Sequence, residues 1–569
     1  MTSFTEKIIT NNLDIWTSSI KAKMSSGKGS NKKIELYGIK KLRELILNLA
    51  ISGKLLPQDP CDKNAGELLK QIACEKAKLI NGKKIKKQNS LPVIKVKEEP
   101  FPLPESWEWE RMGNLTTKIT DGTHHTPHYM KDGVPFISVK DIDGKCISFK
   151  ECKYISEKQH AEINSRCNPQ IGDILICRIG TLGRATIVDT DRPFSLFVSV
   201  GLIKFFQDLY IPRFAHLVLH SPLLTDQYQE IKAGGSHTNK LNLRDLPKLI
   251  LPVAPLAEQH RIVAKVDTLM ELCDQFEQVQ LKNIETHNML VTSLLKPLIS
   301  ATADPTLIKE AWINIQKNFN TLFISESSIN RLKKVILQLA VMGKLVKQNI
   351  EDKKNFSSIL DKEFIPSSEI IVPFEVPYKW DWRQLKELAH VNGGFAFSSG
   401  NFVKDGTRVI RISDFDEGGF KKNRIVRHEI SDELEKYKLK EGDILLAMTG
   451  GTVGKSFHVE SIDEPMLVNQ RVATIRAGRS ITSEYLNIVI KSELTQDVIF
   501  KSKNSTNDNI SMKDINSFLV PLPPIAEQHR IVSKVNQLLL ICDQIQSLLV
   551  KAQSTQINFV NTLVAGNTS

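Results

Sequence analysis

"LAEQHRIVAKVDTL" (residues 256–269) and "IAEQHRIVSKVNQL" (residues 525–538) are near copies, 269 positions apart in a chain of 569 residues. Ile262, Val266, Leu269, Cys273 and Phe276 are spaced by 4, 3, 4 and 3, and Ile531, Val535, Leu538, Cys542 and Ile545 repeat that spacing. Apolar residues at this interval line one seam of a helix, so each copy should be a helix packed against another helix. Pro255 and Pro524 stand where a helix can begin, and Glu258 and Glu527 suit the positive first turn. The first of these helices should reach about Pro297. Gln259, Arg261, Gln528 and Arg530 accompany the seam. With the two glutamates and the seam residues, they are candidates for coil or partner contacts.

Working outward, three more pairs appear in the same order. "LRELILNLAISGKLL" (residues 42–56) matches "LKKVILQLAVMGKLV" (residues 332–346), "WEW" (107–109) matches "WDW" (380–382), and "GDILICRIGTLGRA" (172–185) matches "GDILLAMTGGTVGKS" (442–456) with one inserted residue. Leu42, Leu45, Ile46 and Leu49 recur as Leu332, Val335, Ile336 and Leu339, the pattern of amphipathic helices, each closed by a glycine (Gly53, Gly343). A period this long marks duplicated domains rather than a solenoid. Between the helices the texture changes to short β-branched runs such as "VPFISVKDI" (134–142), "LFVSVGLIKFF" (196–206), "VIRISDF" (409–415) and "VATIRAG" (472–478), broken by Gly, Asp and Pro.

The expected class is therefore α+β: two α/β globules separated and flanked by long helices, with an internal pseudo-two-fold. The boundaries are a helical N-terminal region with a Lys-rich linker (1–100), a first globule (101–255), a central helical spacer (256–370), a second globule (371–523) and a C-terminal spacer helix (524–569). Residues 75–104, Lys-rich and then Pro-rich, have no counterpart in the second half. They read either as a solvated helix end with a linker or as a non-specific phosphate contact.

The bulk numbers set limits. The length allows about three to five folding units. Hydrophobic content of 41% and charged content of 25% are ordinary globular values. A net charge of +12 and a pI near 9.1 point to an anionic partner, nucleic acid being the commonest. The N-terminus lacks an apolar signal core, no run of 18 apolar residues occurs, and the eight cysteines form no CxxC pair. These features describe a reduced, cytoplasmic protein with neither a membrane span nor a metal site.

Catalytic motifs are scarce. "GGTVGKS" (450–456) resembles a phosphate-cradling loop but is one residue short, because Thr449 stands where the first glycine is required. Its counterpart "GTLGRA" (180–185) has neither the lysine nor the magnesium-binding hydroxyl, so both read as turns. "EIK" (230–232) with Asp226 is a poor nuclease match, and "NPQI" (168–171) and "LPPI" (522–525) do not make a methyltransferase tetrapeptide. No glycine-rich cofactor loop, GxSxG or HExxH is present. His260 and His529 flank the seam without a second ligand at helical spacing.

Polar loop chemistry stands out instead. "ITDGTHHTPHYM" (119–130) and "AGGSHTNKLN" (233–242) in the first globule have as their equivalents "VNGGFAFSSGNF" (391–402) and "SKNSTNDNIS" (502–511) in the second. The frame is shared and the loops diverge, as in a reader of two different targets. Asn suits adenine edges, Arg and Lys suit guanine or phosphate, and hydroxyls suit phosphate. The DNA-contact candidates are Thr123, His124, His125, Thr126, Lys140, Arg178, Arg184, Ser236, Asn239 and Lys240 in the first globule. In the second they are Phe395, Phe397, Ser398, Ser399, Arg411, Lys455, Arg471, Asn507 and Asn509.

The duplicated "EQHRIV" helix, the "GDIL" segments, "DGTHHTP" (121–127) and "ISGKLLPQDP" (51–60), in order and in both halves, resemble the specificity subunit of type I restriction–modification enzymes, in the branch with an extended N-terminal region. The resemblance implies that each globule is a target recognition domain reading one half of a bipartite, asymmetric DNA site. It implies that the long helices pair as an antiparallel coiled coil, a ruler of up to roughly 60 Å. It also implies that the chain is not itself catalytic and binds no cofactor. Two methyltransferase subunits and two motor–nuclease subunits would carry S-adenosylmethionine, ATP and magnesium. Against this stand a stand-alone DNA binder, a protein-only coiled-coil scaffold and an ATP-using enzyme centred on residues 450–456.

Overall fold

The computed structural model describes residues 4–23, 33–87, 89–233, 239–300, 304–353, 371–416, 418–502 and 509–568. Its contacts divide the chain into two compact units: residues 1–22, 34–281 and 554–569, and residues 23–33 and 282–553. Two of the four breaks, after residues 281 and 553, fall inside long helices, Leu256–Ile299 and Ile525–Thr568, of 44 residues each. The class is α+β.

In the first unit the chain enters through the helices Phe4–Asn11 and Leu13–Ser18, then Tyr37–Ile51 and Ala65–Asn81. Leu42, Leu45, Ile46 and Leu49 are all buried, as their spacing requires. Gly53 ends the third helix at φ +70°, and a Cβ there would lie 2.4 Å from Pro104 Cγ. Gly343 ends Glu326–Val341 in the second unit in the same way, at φ +68° and 2.4 Å from Pro377 Cγ. Only glycine fits a left-handed position this closely covered.

Each globule is built on one antiparallel four-stranded sheet. The first runs Thr116–Asp121, Val200–Phe205, Ile174–Cys177, Ala185–Ile187; the second runs Ala389–Gly393, Val472–Ala477, Ile444–Ala447, Ser456–His458. A three-stranded sheet accompanies each: Lys153–Ile155, Val134–Ile137, Ser195–Leu196, and Val426–His428, Thr407–Ile410, Met466–Val468. Ile444–Ala447 shows why such strands read as unbroken apolar runs. Ile444 and Leu446 join the helical core, while Leu445 and Ala447 join the core shared with Ile410 and Val468. Alternate side chains enter two different cores, so all four are buried.

A two-stranded ribbon closes each globule and launches its long helix: Ile250–Val253 with Glu108–Arg111, and Leu519–Leu522 with Asp381–Gln384. The helices start directly after Pro255 and Pro524, whose carbonyls accept the first helical amides from Gln259 and Gln528 at 2.9 Å. The first seam is buried at Ile262, Val266, Leu269 and Cys273, and the second at Ile531, Val535 and Cys542. In the second unit the seam shares a core with Val335 and Ile336 and with Val291 and Leu295. In the first unit, Arg43 of Tyr37–Ile51 bonds Asp274 (2.6 Å) and Glu277 (3.0 Å). The linker before the first globule is tied down by Arg111, which donates to Pro92 O (2.7 Å) and Lys248 O (2.7 Å) and pairs with Glu98 at 3.3 Å.

Candidate nucleic-acid interface

The repeated Glu–Gln–His–Arg segments lock each globule to its helix. Glu258 accepts from Trp107 Nε1 (2.8 Å) and Gln58 (2.7 Å); Glu527 accepts from Trp380 Nε1 (3.0 Å) and Gln348 (2.6 Å). Arg261 pairs with Asp62 and Arg530 with Asp352, each through two bonds. Gln259 accepts from Ile211 N and donates to Ala254 O; Gln528 accepts from Thr482 N and donates to Pro523 O. Burial pushes the carboxyls of Glu258 and Glu527 above their ordinary range, while the Trp and Gln donors pull the other way. Both Glu and Gln side chains are thus enclosed by their own globule and the segment preceding it rather than offered to another chain. Arg261 and Arg530 remain partly exposed.

At one end of each globule the sheets are cross-linked by corresponding backbone bonds. Thr123 N donates to Leu196 O (3.0 Å) and Phe395 N to Val468 O (2.8 Å). Arg178 N bonds Ser199 O and Met448 N bonds Arg471 O, both at 2.9 Å. Leu241 N bonds Arg178 O (2.8 Å) and Ile510 N bonds Met448 O (2.9 Å). Bridges link Ile179 with Lys240 and Thr449 with Asn509. Segments far apart in sequence therefore meet along one loop edge. It gathers Thr123, Arg178 and Lys240 in the first globule, and Phe395, Arg471 and Asn509 in the second. Gly122 and Gly394 make the crossing possible: a Cβ on Gly122 would lie 1.9 Å from Leu196 O, and one on Gly394 2.3 Å from Asn469 O.

The chemistry of the two edges differs. Asp121 in the first globule is 2% exposed and accepts from Arg178 Nη1, Arg166 Nη1 (3.1 Å) and His124 Nε2 (3.1 Å). Arg178, 3% exposed, also donates to Leu241 O (3.0 Å) and Val198 O (3.1 Å), so it is consumed by the frame rather than presented to a base. Gly393 and Met448 hold the corresponding positions in the second globule. There the edge is aromatic. Phe395 packs on Phe397 (5.0 Å) and Tyr437 (5.4 Å), and Phe397 on His428 (4.9 Å), over a core of Val409, Leu434 and Leu467.

The remaining candidates sort by what holds them. His125, Thr126, Asn239, Ser398, Ser399, Arg471 and Asn509 are exposed. Lys140 reaches Glu151 O at 3.5 Å, and Arg184 bonds Ile142 O (3.4 Å) and Thr181 Oγ1 (3.3 Å). Arg411 is held on Asp414 by bonds of 2.7 and 3.0 Å. Lys455 donates to Ile412 O (2.8 Å) and Phe415 O, so its ammonium is spent on the chain's own carbonyls. The two glycine turns match in conformation, with φ +79° at Gly180 and +74° at Gly450, which is the turn reading expected for them. Ser236 and Asn507 lie outside the described residues. Sequence reasoning missed Asp121 and Arg166 as members of the edge. The repeat itself held the signal, since Asp121 and Arg178 change together to Gly393 and Met448.

Among the described residues, no group of three His, Cys, Asp or Glu side chains is placed to hold a metal, and no helix is long and apolar enough to cross a membrane.

Known proteins share this architecture. The family model of the type I restriction modification DNA specificity domain matches twice, over residues 104–286 and 377–551. The type I restriction enzyme EcoAI specificity subunit of Escherichia coli is 32% identical, with 98% of each chain covered. The EcoEI specificity subunit of the same organism is 31% identical, again with 98% of each chain covered. A solved chain described under complex assembly and conformational transition of the type I R-M system superposes with a TM-score of 0.51 at 17% identity, over 82% of this chain and 99% of its own, which supports the fold. Two matched specificity domains and full-length relatives above 30% identity place this chain in the family of type I restriction–modification specificity subunits, with recognition of DNA sequence as its role.

Proposed function

We propose that the chain reads a bipartite, asymmetric DNA site, the first globule recognising one half and the second the other. The observation that carries this reading is the pair of loop edges: one frame, two different surface chemistries. The domain division follows from it, with recognition domains over 101–255 and 371–523 joined and followed by helical spacers. The two long helices pair as an antiparallel coiled coil under an internal pseudo-two-fold. In support, the N-terminal part of each belongs to the same unit as the C-terminal part of the other. At 1.5 Å per residue, each 44-residue helix extends roughly 66 Å, the length of about two DNA turns of ~34 Å.

In this reading the chain is a non-catalytic, cytoplasmic subunit that binds no cofactor. Two methyltransferase subunits dock on it, and two motor–nuclease subunits complete the assembly. S-adenosylmethionine, ATP and magnesium belong to those partners. Partly exposed residues of the long helices, such as Arg261, Arg530 and Leu538, remain available for docking; the buried glutamates and glutamines do not. The test is co-expression with the methyltransferase subunit in cells lacking adenine methylation, followed by single-molecule mapping of N6-methyladenine. A gapped two-part motif that vanishes without this chain is expected. A soluble complex that methylates no motif would overturn the reading in favour of a protein-only scaffold.

A further inference from the structure

Arg166, the last residue of the helix Glu157–Arg166, sits at the loop edge of the first globule. Its Nη1 donates to Asp121 Oδ1 (3.1 Å), and its Nη2 donates to the backbone oxygens of Asp121 (3.0 Å) and Gly122. The anchors are buried, yet the arginine side chain is 51% exposed. It is a cation fixed from behind and open in front. Among the described residues Asp121 is the one carboxylate bonded in this cluster, and it faces Arg178 and Arg166 as well as His124. The cluster therefore keeps a positive excess even with His124 neutral, and an anion is the ligand it favours.

Counting donors narrows the ligand further. A guanidinium has five N–H groups. Both on Nη2 and one on Nη1 are used within the protein, leaving the Nε hydrogen and one Nη1 hydrogen. These two do not lie on a common edge. Guanine recognition in the major groove needs two parallel N–H groups directed at O6 and N7. A phosphate oxygen needs only one, plus the charge.

We propose that Arg166, with Asp121 as its positioning residue, is a backbone-phosphate contact of the first globule that sets register on the duplex and does not read a base. The assignment rests on the DNA-recognition reading above. The second globule has Gly393 in place of Asp121 and Met448 in place of Arg178, so this contact belongs to one half-site only.

The test is equilibrium binding of the co-purified chain–methyltransferase complex to a duplex carrying its methylated motif, across a salt series. Arg166→Ala should weaken binding about tenfold and reduce the slope of log affinity against log salt by about one, with base preference unchanged at both half-sites. Arg166→Lys, which keeps the charge, should restore most of the slope. Asp121→Asn should reproduce part of the loss while second-globule base preference stays intact. A changed base preference with an unchanged slope would make Arg166 a base reader and overturn the assignment. Unmoved affinity and slope in a wild type that does discriminate sites would reduce Arg166 to a structural ion pair and overturn this assignment alone. A wild-type complex that does not discriminate sites would overturn the DNA-recognition reading, and this assignment with it.

Discussion

The two globules agree wherever they meet their helices and disagree where their loops meet solvent. Trp107 and Trp380 each donate to a helix glutamate, and Asp62 and Asp352, in the segments preceding the globules, each hold a helix arginine. Even a substitution inside this frame is compensated. Tyr210 gives its hydroxyl to Pro252 O in the first globule, whereas Tyr485, at the place of Phe214, gives its own to Pro521 O in the second. At the loop edge, by contrast, a buried Asp–Arg pair on one side is replaced by glycine and methionine on the other. Contacts that keep a globule seated on its helix are held constant; contacts at the loop edge change between the two halves.

This comparison can be broken, and the largest effect should come from the buried pair. Arg178→Met leaves Asp121 buried without its closest cation and should destabilise the first unit by about 3–5 kcal/mol, read by chemical denaturation. Adding Asp121→Gly recreates the pairing found in the second globule and should recover much of that loss. A double-mutant cycle with no coupling would show that the pair is not a unit.

The next effect is confined to acid. His216 and His220 lie 4.3 Å apart between ring centroids in the first unit. Burial, reinforced by the neighbouring His220, lowers His216 from 6.5 to about 4. Its Nε2 faces Gly144 O (3.0 Å) and its Nδ1 faces Arg213 Nη1 (3.3 Å), a pattern that only the neutral ring satisfies. Because the folded value lies below the unfolded one, the stabilisation is fully present above pH 6.5. It is lost as pH falls towards 4, amounting to roughly 2–3 kcal/mol. Asn487 holds the corresponding helix position in the second globule, so His216→Asn should flatten the acid limb of a melting-temperature profile. An unchanged limb would assign acid sensitivity elsewhere.

A smaller effect, about 2 kcal/mol, is expected from a methyl group at the crossing glycines. Gly122→Ala should cost more than Gly394→Ala, because the added carbon meets backbone at 1.9 Å rather than 2.3 Å. Equal melting temperatures for the two variants would mean that the edges are looser than they look.

Much of this frame was legible in advance. The seam spacing, the closing glycines and the paired tryptophans are local or periodic signals, and a repeat supplies each one twice. The loop edge was less legible because it is assembled from afar. Asp121 meets partners at 166 and 178, and Lys240 joins the edge through a single bridge to Ile179. No local period records such meetings. Arg178 looked like a base reader because arginine suits guanine; its burial on Asp121 could only have been inferred by reading the two halves as an alignment. Glu258 and Gln259 read as candidates for coil or partner contacts. They are buried because the globule folds back over the first turn.

The most direct test of the central claim is to replace residues 107–252 with the matching globule of another specificity subunit and map N6-methyladenine genome-wide by single-molecule sequencing. The account predicts a new base sequence in one half of the motif, with the other half and the spacer unchanged. A change in both halves, or a shifted spacer, would contradict it.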